Sequence, residues 1–193
     1  MSFDHNDHYH RLLLRHVPPG AATALDVGCG TGRFARALAA KGLAVDAVDP
    51  DPGVIRAARG DGVRFINGDA TSVELGRYDF ISCLASLHHM PFDTVSRLRQ
   101  ALNPGGVLAV LGCYPESTRA DYAVSLLAVP VNAAFRLALS GRKGPELKAP
   151  VTQATLPLPE VRREAARLLP GARIRRLLFW RYLLTYTETT RTP

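Results

Sequence analysis

Ala24-Leu25-Asp26-Val27-Gly28-Cys29-Gly30-Thr31-Gly32-Arg33-Phe34-Ala35 is the stretch on which the fold turns. Its apolar start, Ala24 to Val27, has the character of a buried parallel strand, and Phe34, Ala35, Leu38 and Ala39 then recur at helical spacing. The glycines at 28, 30 and 32 therefore fall in a turn between a strand and a helix. Glycine there permits positive φ and lets another group approach the backbone without meeting a Cβ. The helix start beyond it offers unpaired N–H groups and a partial positive charge.

Working outward, Asp26 stands two residues before the first glycine, and Asp49 ends the next apolar run, Ala44 to Val48. An acid at the end of a second parallel strand lies at the carboxyl edge of the sheet, where it can accept hydrogen bonds from ribose hydroxyls. The stretch thus reads as a nucleoside-cofactor site. A dinucleotide loop, G-x-G-x-x-G, fits poorly, because the third glycine comes early at Gly32 and position 33 is Arg.

The pattern D-x-G-x-G-x-G followed by Asp49 resembles motif I of the class I S-adenosylmethionine-dependent methyltransferases, in their small single-domain form. Further elements resemble that family in the same order. They are Gly68-Asp69-Ala70, Tyr78-Asp79-Phe80-Ile81, Leu87-His88-His89-Met90 and the turn Asn103-Pro104-Gly105-Gly106, together spanning roughly residues 24–112. The resemblance implies an α/β fold: a Rossmann-like, doubly wound, seven-stranded sheet, mostly parallel with the last strand antiparallel, and helices on both faces. It implies S-adenosyl-L-methionine as cofactor, leaving as S-adenosyl-L-homocysteine. Asp26, Gly28, Cys29 and Gly30 would then meet its amino-acid end, and Asp49 its ribose. Pro50, Gly68, Asp69, Ala70, Cys83 and Leu84 complete the implied cofactor set, with the Asp69 carboxylate suited to the adenine amino group. The plainer alternative for Asp69 is an Asx turn. Tyr9, His88 and His89 are the candidates facing the acceptor. A histidine there can orient the acceptor or take its proton, or it can simply pack.

The chain has 193 residues, of which 47% are hydrophobic and 21% charged, enough for one domain with a substantial core. We read 1–193 as a single methyltransferase domain, with an N-terminal helix over 1–20 and a variable, acceptor-covering segment over 113–160. Cys29, Cys83 and Cys113 form no CxxC pair, and the N-terminus lacks an apolar leader core, which favours a reducing cytoplasm. His5, His8 and His10 match no standard ligand spacing, so no metal is expected.

Charge is uneven. Residues 1–133 hold 12 Lys+Arg against 13 Asp+Glu, and residues 134–193 hold 12 against 4. A basic C-terminal third attracts anions or is simply a solvated face. The stretch from Ala120 to Leu139 is apolar on nearly all faces but is broken by Pro130. It either roofs the acceptor pocket or dips into a membrane surface, and is too interrupted for stable membrane insertion. Nucleic acid is disfavoured, since the stretch after the fourth strand, Cys83-Leu84-Ala85-Ser86, lacks the Pro-Pro-aromatic element of base-amine methylation, and aromatics make up only 7%.

Helices are predicted over 54–59, 92–102 and 158–169, and strands over 63–67, 78–83 and 107–111. The runs 172–178 and 181–187 are predicted to close as an antiparallel hairpin. The expected function is methyl transfer to O, N or C of a small organic acceptor by in-line displacement, in a monomer or homodimer. Two alternatives stand beside it: a lipid or quinone methyltransferase at a membrane surface, and a cofactor-binding protein without methyl transfer.

Overall fold

The computed structural model describes residues 5–115, 156–178 and 180–189, with backbone alone for 5–8. Its elements in order are α1 (His5–Leu14), β1 (Thr23–Val27), α2 (Arg33–Ala39), β2 (Ala44–Asp49), α3 (Pro52–Ala57), β3 (Val63–Asn67) and β4 (Tyr78–Leu84). A 3-10 turn (Leu87–His89), α4 (Thr94–Gln100) and β5 (Leu102–Cys113) follow, then α5 (Leu158–Leu168), β6 (Arg173–Leu177) and β7 (Arg181–Thr187). The strands form one seven-stranded sheet in the order β3-β2-β1-β4-β5-β7-β6. All neighbours are parallel except β7, which runs antiparallel to both β5 and β6. This is the mixed, doubly wound sheet the motifs implied.

The central strands are buried on both faces, which explains why Ala24, Leu25 and Val27 read as an unbroken apolar run. On one face Tyr9, Leu13, Phe34 and Leu38 from α1 and α2 pack with Ala109, Leu111 and Leu183. On the other, Leu98 of α4 and Leu158, Val161 and Ala165 of α5 pack with Val110, Tyr182 and Leu184. The order in which strands are added reverses between the parallel neighbours β1 and β4, where a crevice opens at the carboxyl edge.

Asp79, part of the fourth-strand motif, works at the opposite edge. Its Oδ2 accepts from the N–H of Ala22 and Thr23 and from the Thr23 hydroxyl at 2.9–3.0 Å, and Oδ1 accepts from Asn103 Nδ2 at 2.7 Å. That latch ties β1, β4 and the turn into β5 together. The motif is structural there, and the Asn103 bond holds the carboxyl below its usual range.

Element boundaries shift where side-chain pattern and backbone pairing compete. The first helix ends at Leu14, short of the proline pair at 18 and 19, because the chain turns through Arg15 and His16 to reach β1. The helix predicted over 92–102 is confined to Thr94–Gln100, since Leu102 is drawn into the sheet opposite Tyr78. Helix α3 starts at Pro52, two residues earlier than the predicted 54, with Asp51 accepting from the N–H of Gly53 and Val54. The apolar segment 120–139 and most of 113–160 lie outside the described residues. Among the described residues no helix is long and apolar enough to cross a membrane.

Candidate active site

The three glycines after β1 do three different things. All have positive φ, at +67°, +53° and +80° for Gly28, Gly30 and Gly32. A Cβ on Gly28 would stand 2.3 Å from Ser86 Cβ, and one on Gly32 would stand 2.5 Å from the Phe65 ring. These two positions let the loop after β4 and a side chain of β3 close onto the turn. A Cβ on Gly30 would meet nothing within 4 Å. Gly30 alone presents bare peptide to open space.

The loop is fastened from behind by β2. Gly28 and Cys29 donate their N–H groups to the Val48 carbonyl at 2.8 and 3.1 Å. Gly30 N–H donates to Asp49 Oδ2 at 2.9 Å, and Asp51 N–H to Asp49 Oδ1 at 3.0 Å. Asn67, at the end of β3, donates to the carbonyls of Asp49 and Pro50 at 3.1 and 3.0 Å. The Asp49 carboxylate is thus oriented at the mouth of β1 and β2, and each oxygen keeps a further lone pair for a ligand hydroxyl.

Asp26 lies beneath, 2% exposed, and accepts from Ser82 Oγ at 2.8 Å. Burial pushes its carboxyl up to about 7; the Ser82 bond and the Ala35 N–H pull it back, and the nearby Asp49 charge adds to the rise. Two carboxylates so placed favour a positively charged ligand.

The loop after β4 forms the far wall. Ser86 Oγ donates to the Val27 carbonyl at 2.7 Å and lies 3.0 Å from Cys83 Sγ. Ala85 takes φ +51°, and its N–H donates to the Leu111 carbonyl at 2.7 Å. Cys83 points into the core and burial pushes its thiol up to about 12, so only its backbone is available to a ligand. Cys29 is likewise buried, with its thiol pushed up for the same reason. Leu84 is half-buried.

At the end of β3, Asp69 is exposed and makes an Asx turn. Its Oδ1 accepts the Thr71 N–H and hydroxyl, both at 2.8 Å, and these bonds hold the carboxyl below its usual range. Ala70 is buried, its carbonyl accepting from Arg97 Nε. His88 and His89 occupy the 3-10 turn beyond β4 with ring centroids 4.0 Å apart; His88 is half-buried and His89 exposed. Tyr9 is 6% exposed and donates its hydroxyl to the Leu178 carbonyl at 3.0 Å, which pins α1 to the β6–β7 turn. Asp26, Gly28, Gly30 and Asp49 therefore converge, while His88 and His89 stand together in the 3-10 turn after β4 and Tyr9 is held by the β6–β7 turn. Among the described residues no three His, Cys, Asp or Glu side chains are grouped to hold a metal ion.

Sequence reasoning missed Ser82, Ser86 and Asn67. Ser82 carried a usable signal, a hydroxyl inside the apolar run Phe80-Ile81-Ser82-Cys83 that could face only another polar group.

A glycine turn fastened to a strand-end carboxylate, at the strand reversal of a 3-2-1-4-5-7-6 sheet, defines a nucleoside-cofactor enzyme of the methyltransferase fold. The methyltransferase domain family matches residues 24–106. An uncharacterized methyltransferase of Mycobacterium tuberculosis strain H37Rv is 37% identical over 190 residues, covering 94% of each chain. A ubiquinone biosynthesis O-methyltransferase of Xylella fastidiosa is 34% identical over 110 residues, covering 51% of this chain and 44% of that one. Among solved structures, an amino pentose methyltransferase of Micromonospora echinaspora with bound S-adenosylmethionine superposes with a TM-score of 0.68 at 20% identity, over 97% of this chain and 93% of that one. The chain belongs to the class I S-adenosylmethionine-dependent methyltransferases, and S-adenosyl-L-methionine is its cofactor.

Proposed function

We propose that the protein transfers a methyl group from S-adenosyl-L-methionine to a nucleophilic atom of a small organic molecule by in-line displacement. The observation that carries the reading is the pairing of Gly30 with Asp49: open peptide beside an oriented carboxylate at the mouth of β1 and β2. The cradle fits the cofactor, because a Cβ at Gly30 would project into the space the ligand needs. When bound, the sulfonium supplies an electrophilic methyl with a thioether as leaving group.

The chain's own residues bind and orient. Asp49 accepts from the ribose hydroxyls, with Pro50 beside it. The loop from Gly28 to Gly30 holds the amino-acid end, and Asp26 balances positive charge from below. The Gly68-Asp69-Ala70 turn flanks the adenine; Asp69 Oδ1 is taken by Thr71, which leaves Oδ2 to meet the amino group. The backbone of Cys83 and Leu84 closes the far side. His88 and His89 stand on the acceptor side of the crevice, while Tyr9 supports the hairpin there. Titration calorimetry with S-adenosylmethionine and S-adenosylhomocysteine tests this site: binding that is unaffected by Asp49→Ala contradicts it.

A second reading, an acceptor met at a membrane surface, draws support from the ubiquinone biosynthesis O-methyltransferase relative. Sedimentation with anionic vesicles at low salt separates the two, since a small-molecule enzyme stays in the supernatant.

A further inference from the structure

Residues 68–77 carry the chain from β3 across to β4, and that crossover contains no helix. Its backbone polar groups therefore have to find their partners one by one. Gly68 N–H donates to the Asp49 carbonyl at 3.1 Å, and the Asp69 carbonyl accepts the N–H groups of Ser72 and Val73 at 3.0 and 2.8 Å. A Cβ on Gly68 would fall 3.0 Å from Val73 Cγ2, so the turn closes tightly on itself. The carbonyls of Ala70 and Val73 receive no backbone N–H among the described residues. One side chain takes both. Arg97 of α4 donates from Nε to the Ala70 carbonyl at 3.1 Å and from Nη2 to the Val73 carbonyl.

The planar guanidinium fork fixes the two carbonyls relative to each other, which a single donor would not do. Arg97 is half-buried and Ala70 is buried, and Ala70 and Val73 share an apolar cluster with Val95 and Leu98 of α4. The turn is thus docked on α4 by packing and locked there by the fork. Its outer side carries the exposed Asp69. That carboxylate is not free to swing, because Oδ1 accepts the Thr71 N–H and hydroxyl, both at 2.8 Å. Asp69 and Thr71 flank Ala70 in sequence, so a shift of the Ala70 peptide moves both ends of the Asx turn and Oδ2 with them.

We propose that Arg97 is a positioning residue for the base of the cofactor. By holding the Ala70 and Val73 carbonyls it sets where Asp69 Oδ2 meets the adenine amino group, and so makes the site select a 6-amino over a 6-oxo purine. The proposal rests on the reading of the 68–70 turn given above and adds the residue that enforces it. An ionised carboxylate only accepts hydrogen bonds, so it favours an amino group and repels a carbonyl oxygen in the same place. Such a mismatch discriminates strongly only where the polar group is held in position rather than free to turn away.

Titration calorimetry on the full chain, with S-adenosylhomocysteine and its 6-oxo analogue S-inosylhomocysteine, reads that selection without turnover. The wild type should bind the adenosine compound at least about 10-fold more tightly. Arg97→Gln should weaken the adenosine compound about 10-fold and change the inosine compound less than about 2-fold, so that selectivity collapses. Arg97→Lys keeps the charge and can reach one carbonyl, and should retain part of the selectivity while preserving the fold. Asp69→Asn is the reference. The Thr71 N–H requires an oxygen, so the new amide turns its NH2 toward the base and the preference should shift to the inosine compound. In the double variant that shift should be lost, because the side chain is no longer held.

Equal weakening of both compounds by Arg97→Gln and by Arg97→Lys, the outcome of a merely structural role, overturns the proposal. So does a shift by Asp69→Asn that is as large with Arg97→Gln as without it. If Asp69→Asn inverts the selectivity and Arg97→Gln leaves it intact, the proposal alone falls. If Asp69→Asn leaves the selectivity unchanged, the adenine reading of the turn falls and takes the proposal with it.

Discussion

The two halves of the crevice are built by opposite means. On the β1–β2–β3 side the ligand-facing surface is backbone and carboxylate: Gly30 offers bare peptide, Asp49 is held by two N–H groups, and Asp26 lies buried beneath. On the β4–β5–β7 side the construction is side-chain packing: the Tyr182 ring lies over Gly112, and the Arg176 guanidinium lies 5.9 Å from the Tyr114 ring centre. The first arrangement suits a cation carrying hydroxyls, and the second is a wall of interlocked side chains.

The largest expected effect tests the charge on the cofactor side. Asp26 has its carboxyl raised to about 7 by burial. A raised acid binds its proton more tightly folded than unfolded, so stability is greatest below the unfolded value and falls as pH rises toward 7. The loss amounts to roughly 4 kcal/mol over that window. Asp46, Asp69 and Asp79 are lowered and act in the other sense, gaining stability as pH rises through the low range. The difference between wild type and Asp26→Asn in urea unfolding isolates the first effect. The variant should be more stable at pH 8 and nearly equal at pH 4. Binding of S-adenosylmethionine should release protons near neutrality, read by calorimetry in buffers of different ionisation enthalpy, and Asp26→Asn should abolish that release.

Next is the closeness of the two sides. Gly28→Ala puts a Cβ 2.3 Å from Ser86 Cβ at a positive-φ position, which should cost about 3 kcal/mol in unfolding. Ser86→Gly should recover part of it in the double variant, leaving the φ penalty. Gly30→Ala, which meets nothing within 4 Å, should cost only about 1 kcal/mol of stability but weaken cofactor binding. Asp49→Ala should weaken S-adenosylmethionine binding by about 2 kcal/mol, near 30-fold, through the lost ribose contacts. Similar behaviour of the two glycine variants would remove the division of labour between them.

How much of this the sequence disclosed follows the same boundary. Residues 24–49 could be read because each demand was local: a turn needs glycine, and a strand-end acid needs only its place one βα unit later. The Asx alternative for Asp69 was also visible, because Asp-x-Thr is a local pattern. The distinct duties of Gly28, Gly30 and Gly32 were not, since they depend on Ser86 and Phe65, which approach from distant strands. The packing of the Tyr182 ring on Gly112 was hidden for the same reason. Gly112 is 70 residues earlier and meets the ring only through the β5–β7 pairing. The helix predicted over 92–102 overran because an apolar Leu102 fits a helix face and a sheet equally well until Tyr78 claims it.

The smallest expected effect serves as the control for this contrast. Asp46 and Asp49 both belong to β2, yet only Asp49 is at the mouth of the crevice. Asp46 accepts from Arg64 Nε and Nη2 at 2.7 and 2.6 Å and from the Tyr78 hydroxyl at 2.7 Å. These bonds, Arg64 foremost, hold its carboxyl below the usual range, and Tyr78 is pushed up to about 12, chiefly by burial. Arg64 is 71% exposed, so solvent screens much of the attraction, and the Tyr78 bond carries the larger share. Asp46→Asn should therefore cost about 1 kcal/mol at pH 7, a cost that shrinks as pH falls and the wild-type carboxyl takes up its proton. It should leave affinity for S-adenosylmethionine unchanged, because the amide preserves the register of β2 on β3. If Asp46→Asn weakened the cofactor as much as Asp49→Ala, β2 would be acting as one charged rod, and the assignment of a single carboxylate to the ribose would fall.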